Sequence, residues 1–97
     1  PHHSLRREGN NLVTNLPLKL SEALLGGDKK INTLDGQLTI TIPQGVSFGE
    51  ILRVRGKGVP IERNKRGDLL VKISIMMPKK LSKEAKTAIE VLNKEGM

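Results

Sequence analysis

The stretch Asp68 to Pro78, "DLLVKISIMMP", decides the fold. Leu69, Val71, Ile73, Ile75 and Met77 take alternate positions, while Lys72 and Ser74 punctuate the other set. A period of two predicts a strand with one buried face, and Pro78, which has no backbone N–H, stops it. Upstream, "ILRVRGKGVP" from Ile51 to Pro60 sets Leu52 and Val54 against Arg53 and Arg55. That pattern predicts another half-buried strand with an arginine face in water and "GKG" as the bend after it. "RNKRGD" predicts a further turn around Gly67.

Toward the N-terminus, Leu12, Thr14, Leu16, Leu18 and Leu20 alternate in the same way, and Pro17 predicts an edge position for their strand. "SEALLGG" predicts a short helical turn over Glu22 to Leu25, capped by Ser21 and ended by paired glycines. "KINT" and "QLTITIP" flank Asp35-Gly36, read as the two central residues of a hairpin turn that needs positive φ at both. Leu38, Ile40 and Ile42 share one face of the second strand, and "PQGVSFGE" is an irregular turn. After Ser82, a candidate N-cap, the period changes. Ala85, Ala88, Ile89 and Leu92 fall at i, i+3, i+4 and i+7, the stripe of an amphipathic helix that ends near Gly96.

The expected fold is therefore mainly β: a small two-sheet β-sandwich of antiparallel strands, with a short helical turn and a C-terminal amphipathic α-helix. Residues 1–11 read as a linker, 12–78 as the sandwich, and 79–97 as the helix with its lead. A chain of 97 residues has room for one core. With Phe48 the sole aromatic and no cysteine, that core must be aliphatic, without disulfides or thiolate chemistry. No apolar run approaches a membrane span, and "PHHSLRREGN" lacks a signal-peptide core. The first residue is proline, so the chain reads as a piece of a longer protein, and a cytoplasmic setting is the default expectation.

Catalytic candidates are poor. His2 and His3 have no third ligand at metal spacing, and Asp28, Asp35 and Asp68 sit beside glycines or at strand boundaries, where turn geometry accounts for them. "RGKGVP" fits neither glycine-rich phosphate loop, because Val-Pro follows where a helix N-terminus would be needed. No enzyme activity, metal or cofactor is expected. The net charge of +7 suits an anionic partner. Arg53, Arg55, Lys57, Arg63, Lys65 and Arg66 form the densest basic cluster, with Arg53, Arg55 and Lys57 as the candidate contacts. With no aromatic platform for bases, that cluster supports only weak, salt-sensitive binding of DNA or RNA.

Taken in order, "RREGNNL", "LPLKLSEALLGG", "INTLDGQLTITIPQGVSFGEILRVRGKGVP" and "RGDLLVKISIMMPKKLSKEAKTAI" resemble the second C-terminal β-domain of DnaJ-type co-chaperones, the J-domain proteins. The resemblance implies a non-catalytic module that binds unfolded or misfolded polypeptides and forms homodimers. It serves a parent protein that delivers clients to a DnaK-type ATPase chaperone; some relatives in the family bind curved DNA instead. It implies no membrane partner. The His-Pro-Asp motif, the CxxCxGxG repeats and the first β-domain of such proteins do not occur in this stretch, and Leu5 stands where the family tends to place phenylalanine. The site residues expected on this basis are Leu81, Ala85, Ala88, Ile89 and Leu92 at a dimer interface, unless the helix only caps its own sandwich. Leu18, Leu20 and Ile31 are expected to contact an extended client.

Overall fold

The computed structural model describes residues 5–97. His2 and His3 lie outside the described residues. In chain order the elements are β1 (Leu5–Glu8), β2 (Asn11–Lys19), α1 (Leu20–Leu25), β3 (Gly27–Thr33), β4 (Gly36–Ile42), β5 (Ile51–Val54), β6 (Pro60–Glu62), β7 (Lys65–Arg66), β8 (Leu69–Met76) and α2 (Lys83–Lys94). One four-stranded sheet has the spatial order β1, β2, β8, β5; β3 with β4 and β6 with β7 form two hairpins.

β8 is an inner strand of the sheet, as the alternation in Leu69 to Met77 requires. Leu69, Val71 and Ile73 are fully buried. At about 1.5–3 kcal/mol for each such side chain taken out of water, these three outweigh any surface contact in the molecule. Ile75 is half-buried and packs at the rim of the core, whereas Met77 lies past the strand end and is exposed. The β3–β4 hairpin lays Ile31, Ile40 and Ile42 over this face, and Leu12, Leu16 and Leu18 of β2 complete the interior with Ala23 of α1 and Val46. The core is thus a thin aliphatic layer between a sheet and a hairpin, the expected mainly-β arrangement.

Several local readings shift. β2 and β8 pair in parallel, Leu12 opposite Leu69 through Lys19 opposite Met76, where only antiparallel neighbours were expected. Residues this far apart in sequence pair because their apolar faces match, which local turn signals do not report. Leu5–Glu8, read as linker, pairs antiparallel with β2 as an edge strand, and half-buried Leu5 packs against the core. β1 covers β2 only from Asn11 to Thr14, so Pro17 does sit on an open edge, in the half of β2 that β1 does not reach. Thr33 pairs with Gly36, making Leu34 and Asp35 the two-residue loop of the hairpin. Gly36 has φ 104° and follows the loop, while Asp35 keeps a negative φ. Thr33 secures this turn: its hydroxyl donates to the Gly36 carbonyl at 2.8 Å and accepts from the Asp35 N–H at 3.1 Å.

Ser21 lies inside α1, and the helix start is held instead by the Glu22 carboxylate accepting from the Lys19 N–H at 2.8 Å. In "RNKRGD" the left-handed residue is Asn64, φ 65°, between β6 and β7. Gly67 instead lets two backbones approach closely, since a Cβ there would collide with the Asn10 carbonyl. At the other end, Ser82 caps α2 as expected, its hydroxyl accepting from the Ala85 N–H at 3.0 Å. No residue of α2 is buried. The radius of gyration, 16.5 Å, exceeds the roughly 12.5 Å of a compact chain of this size, and the molecule is 55 Å long, because α2 stands off the sandwich.

Replacing Ile73 by alanine is expected to cost about 2–5 kcal/mol in urea unfolding, against less than about 1 kcal/mol for the same change at exposed Ile51. Equal losses at the two positions would contradict the inner placement of β8.

Candidate functional site

The loops around "RGKG" meet in a corner held by backbone bonds. Gly58 N–H donates to the Gly67 carbonyl and Gly67 N–H to the Val59 carbonyl, both at 2.9 Å; Val59 N–H reaches the Asn10 carbonyl at 3.0 Å. Gly58 is glycine for want of space, since a Cβ would meet the Asp68 backbone at 2.6 Å. Gly56, φ 73°, makes the bend and gives its N–H to the Asp68 carboxylate at 3.0 Å. Three backbone donors that a phosphate cradle would use, those of Gly56, Gly58 and Val59, are therefore taken up by the protein itself.

Much of the basic cluster is engaged there too. Arg53 pairs with Asp68. Arg66 donates to the Gly58 carbonyl through Nε and Nη2 and to Asp35 at 2.7 Å, and Lys57 stands 3.9 Å from the same Asp35 carboxylate. Lys65 is 3.4 Å from Glu62. Of the six cations, Arg55 and Arg63 have no carboxylate partner among the described residues. Of the three candidate anionic-partner contacts, Arg55 is the one that forms no ion pair among the described residues.

An apolar concavity lies elsewhere. A groove of about 650 Å3 runs between α2 and the end of the sandwich. Leu81, Ala85, Ala88, Ile89 and Leu92, the residues expected at a dimer interface, all line one wall. Leu20, Leu24, Met76 and Met77 line the other. Leu24, Met76, Met77 and Leu81 are each more than 40% exposed, so the helix stripe faces an apolar wall without closing on it. Sequence reasoning named neither Leu24 nor Met76 and placed Met77 on the buried face of its strand. The signal was Leu24-Leu25 in a six-residue helix, where adjacent positions cannot both face one core.

The candidate client contacts divide. Leu18 is fully buried and Ile31 is 8% exposed, so both belong to the interior, Leu18 beneath the β3–β4 hairpin and Ile31 on the hairpin's own inner face; Leu20, at the groove, is the one with accessible surface. A narrow cleft of about 70 Å3 beside Gly26–Gly27 reaches down to Leu18 and Ile42. Lys29 and Glu22 form its charged lip, 2.9 Å apart. Beside it, the edge of β2 past Thr14 has no strand partner other than β8 among the described residues. No group of three His, Cys, Asp or Glu side chains among the described residues is placed to hold a metal, and no helix there is long and apolar enough to cross a membrane.

A four-stranded sheet roofed by a hairpin, with an amphipathic helix held off an apolar end, defines a small mainly-β domain with exposed apolar surfaces. The chain belongs to the DnaJ C-terminal domain family, whose model matches residues 1–78. The Chaperone protein DnaJ of Ruminiclostridium cellulolyticum is 41% identical over 90 residues, which cover 92% of this chain and 24% of that protein. Those of Bacteroides fragilis and Bacteroides thetaiotaomicron are 44% and 45% identical over 93 and 91 residues, covering 95% and 93% of this chain and 24% and 23% of theirs. The chain thus spans about a quarter of the length of these relatives. The family match ends before α2, but the similarity to these relatives covers more of the chain than the family model does.

The corner carries a pH signature. The Gly56 N–H and the Arg53 guanidinium hold the Asp68 carboxyl below its ordinary pKa, and the Lys29 ammonium with the Lys19 N–H does the same for Glu22. A carboxylate whose pKa is lowered on folding contributes stability above its unfolded value, and that stability fades as pH falls through the folded one. Urea midpoints are therefore expected to drop below about pH 4, with a shallower drop in Asp68→Asn; an unchanged acid limb in that variant would remove the corner's role.

Proposed function

We propose that this chain is the client-holding and self-associating C-terminal module of a cytoplasmic DnaJ-type co-chaperone. Through its parent protein it serves transfer of unfolded polypeptides to a DnaK-type ATPase chaperone. The observation that carries this reading is the unclosed groove along α2. A 12-residue helix is marginal by itself, and this one is capped yet buries no residue. A second copy related by a two-fold axis would cover Leu81, Ile89 and Leu92 with the equivalent stripe, an isologous contact that removes apolar surface from both copies. Two copies present two client surfaces, and the second engages at high effective concentration.

The client surface in this reading is the free edge of β2 with the cleft beside it. An extended segment gains main-chain hydrogen bonds along Asn15 to Lys19, and loose preference comes from shallow apolar contact, with Leu20 at its end. Such recognition reads backbone and general hydrophobicity rather than one sequence, as a holder of unfolded chains requires.

Sedimentation equilibrium tests the association: the chain is expected to run as a dimer and the Ile89→Asp/Leu92→Asp variant as a monomer, whereas equal masses for the two would end the claim. Titration with a fluorescent unfolded peptide is expected to weaken in Leu20→Asp; undiminished affinity there would move the client surface elsewhere.

A further inference from the structure

β5 is the last strand of the four-stranded sheet, and its outer edge has no partner among the described residues. Ile73 N–H donates to the Glu50 carbonyl at 2.9 Å, so alternation along the strand turns the N–H and C=O of Ile51 and Arg53 away from β8, into open space. The side chains beside this edge are unusual for one in water. Phe48, the only aromatic in the chain, is 70% exposed, contrary to the expectation of no aromatic platform at the surface, and Ile51 is 54% exposed. Around them stand cations: Lys72, directly opposite Ile51 in the register, and Arg55, neither with a carboxylate partner among the described residues, together with the paired Arg53. The nearby carboxylates are already engaged. Asp68 holds Arg53 and the Gly56 N–H, and Glu50 accepts from the Ser47 N–H at 3.0 Å.

We propose that the outer edge of β5 docks an extended peptide in which carboxylates alternate with aliphatic side chains, its backbone pairing with Ile51 and Arg53. Phe48 and Ile51 contact the aliphatic positions, and Lys72 and Arg55 oppose the acidic ones. A second copy of this chain is a poor occupant, because antiparallel pairing of two β5 edges brings arginine close to arginine, and like charges placed opposite one another destabilise a strand pair. This site lies on the opposite edge of the sheet from the free edge of β2 and does not depend on the function proposed above.

Fluorescence anisotropy with two peptides tests it, one alternating glutamate with valine and one alternating lysine with valine. The acidic peptide is expected to bind at least about tenfold tighter and to lose most of that advantage in about 0.5 M salt, where exposed charge pairs are screened. Arg55→Glu/Lys72→Glu should reverse the preference. Ile51→Pro, which removes an outward N–H without touching the β8 ladder, should abolish binding of both peptides while the circular dichroism of the sheet persists. Amide shifts on the acidic peptide should centre on Ile51 to Arg55. Equal binding of the two peptides, shifts centred on Asn15 to Lys19, or competition by a single-stranded oligonucleotide as effective as the acidic peptide would each overturn the proposal.

Discussion

Both sides of β8 are paired, to β2 in parallel and to β5 antiparallel, and its inner face is withdrawn from water at Leu69, Val71 and Ile73. A parallel neighbour cannot be reached by a tight turn, so everything between Leu20 and Asp68 is connection as well as structure. That connection covers the face it leaves: α1 contributes Ala23, the hairpin contributes Ile31, Ile40 and Ile42, and Val46 fills the remaining gap. The same pairing decides where the loops fall. Because Leu12 stands opposite Leu69, the turn before β2 meets the loop before β8, and Asn11 accepts the Asp68 N–H at 2.8 Å. The glycine corner follows from strand register.

Faces were legible in the sequence, partners were not. The alternations in Leu12 to Leu20 and Leu69 to Ile75 marked their buried sides, and the stripe on α2 with its Ser82 cap was readable to the residue, since each depends on neighbours within a few positions. Leu5–Glu8 went unread as a strand because a four-residue edge with Arg6, Arg7 and Glu8 has no apolar alternation of its own; it is a strand only because β2 is there. The turn at Leu34–Asp35 differs from the Asp-Gly reading for a related reason. Dipeptide preference specifies that glycine takes the positive φ, but the cross-strand pair of Thr33 with Gly36 settles which residues are looped out. Leu18 and Ile31 looked like client contacts because one face of a strand cannot announce whether another element packs against it, as the sheet and the hairpin do here.

The charge of the chain divides along the same line between use and display. Arg53, Lys57 and Arg66 lie next to glycine loops, and their partners Asp68 and Asp35 make them struts of the corner. Exposed pairs of this kind contribute little each, but Arg66 also satisfies the Gly58 carbonyl twice and so helps hold two loops. What stays available to a partner is a smaller set than the composition suggests, with Arg55, Arg63 and Lys72 among it. Net charge therefore overstates the electrostatic surface near the corner.

β8 also ties the exposed surfaces together. Its N-terminal half carries β5, whose last pair with it toward the strand end is Ile51 with Lys72, and Met76 at its other end forms part of the apolar groove. At about 3.3 Å per residue, the four steps from Lys72 to Met76 amount to about 13 Å along one inner strand. An occupant of the β5 edge and one of the groove would thus lie on strands anchored to β8 rather than on a loop, and neither would need to displace the other. α2 is the contrasting case. It buries no residue of its own and joins the sandwich only through the Pro78 to Ser82 lead, so its stripe faces the groove without being part of the core.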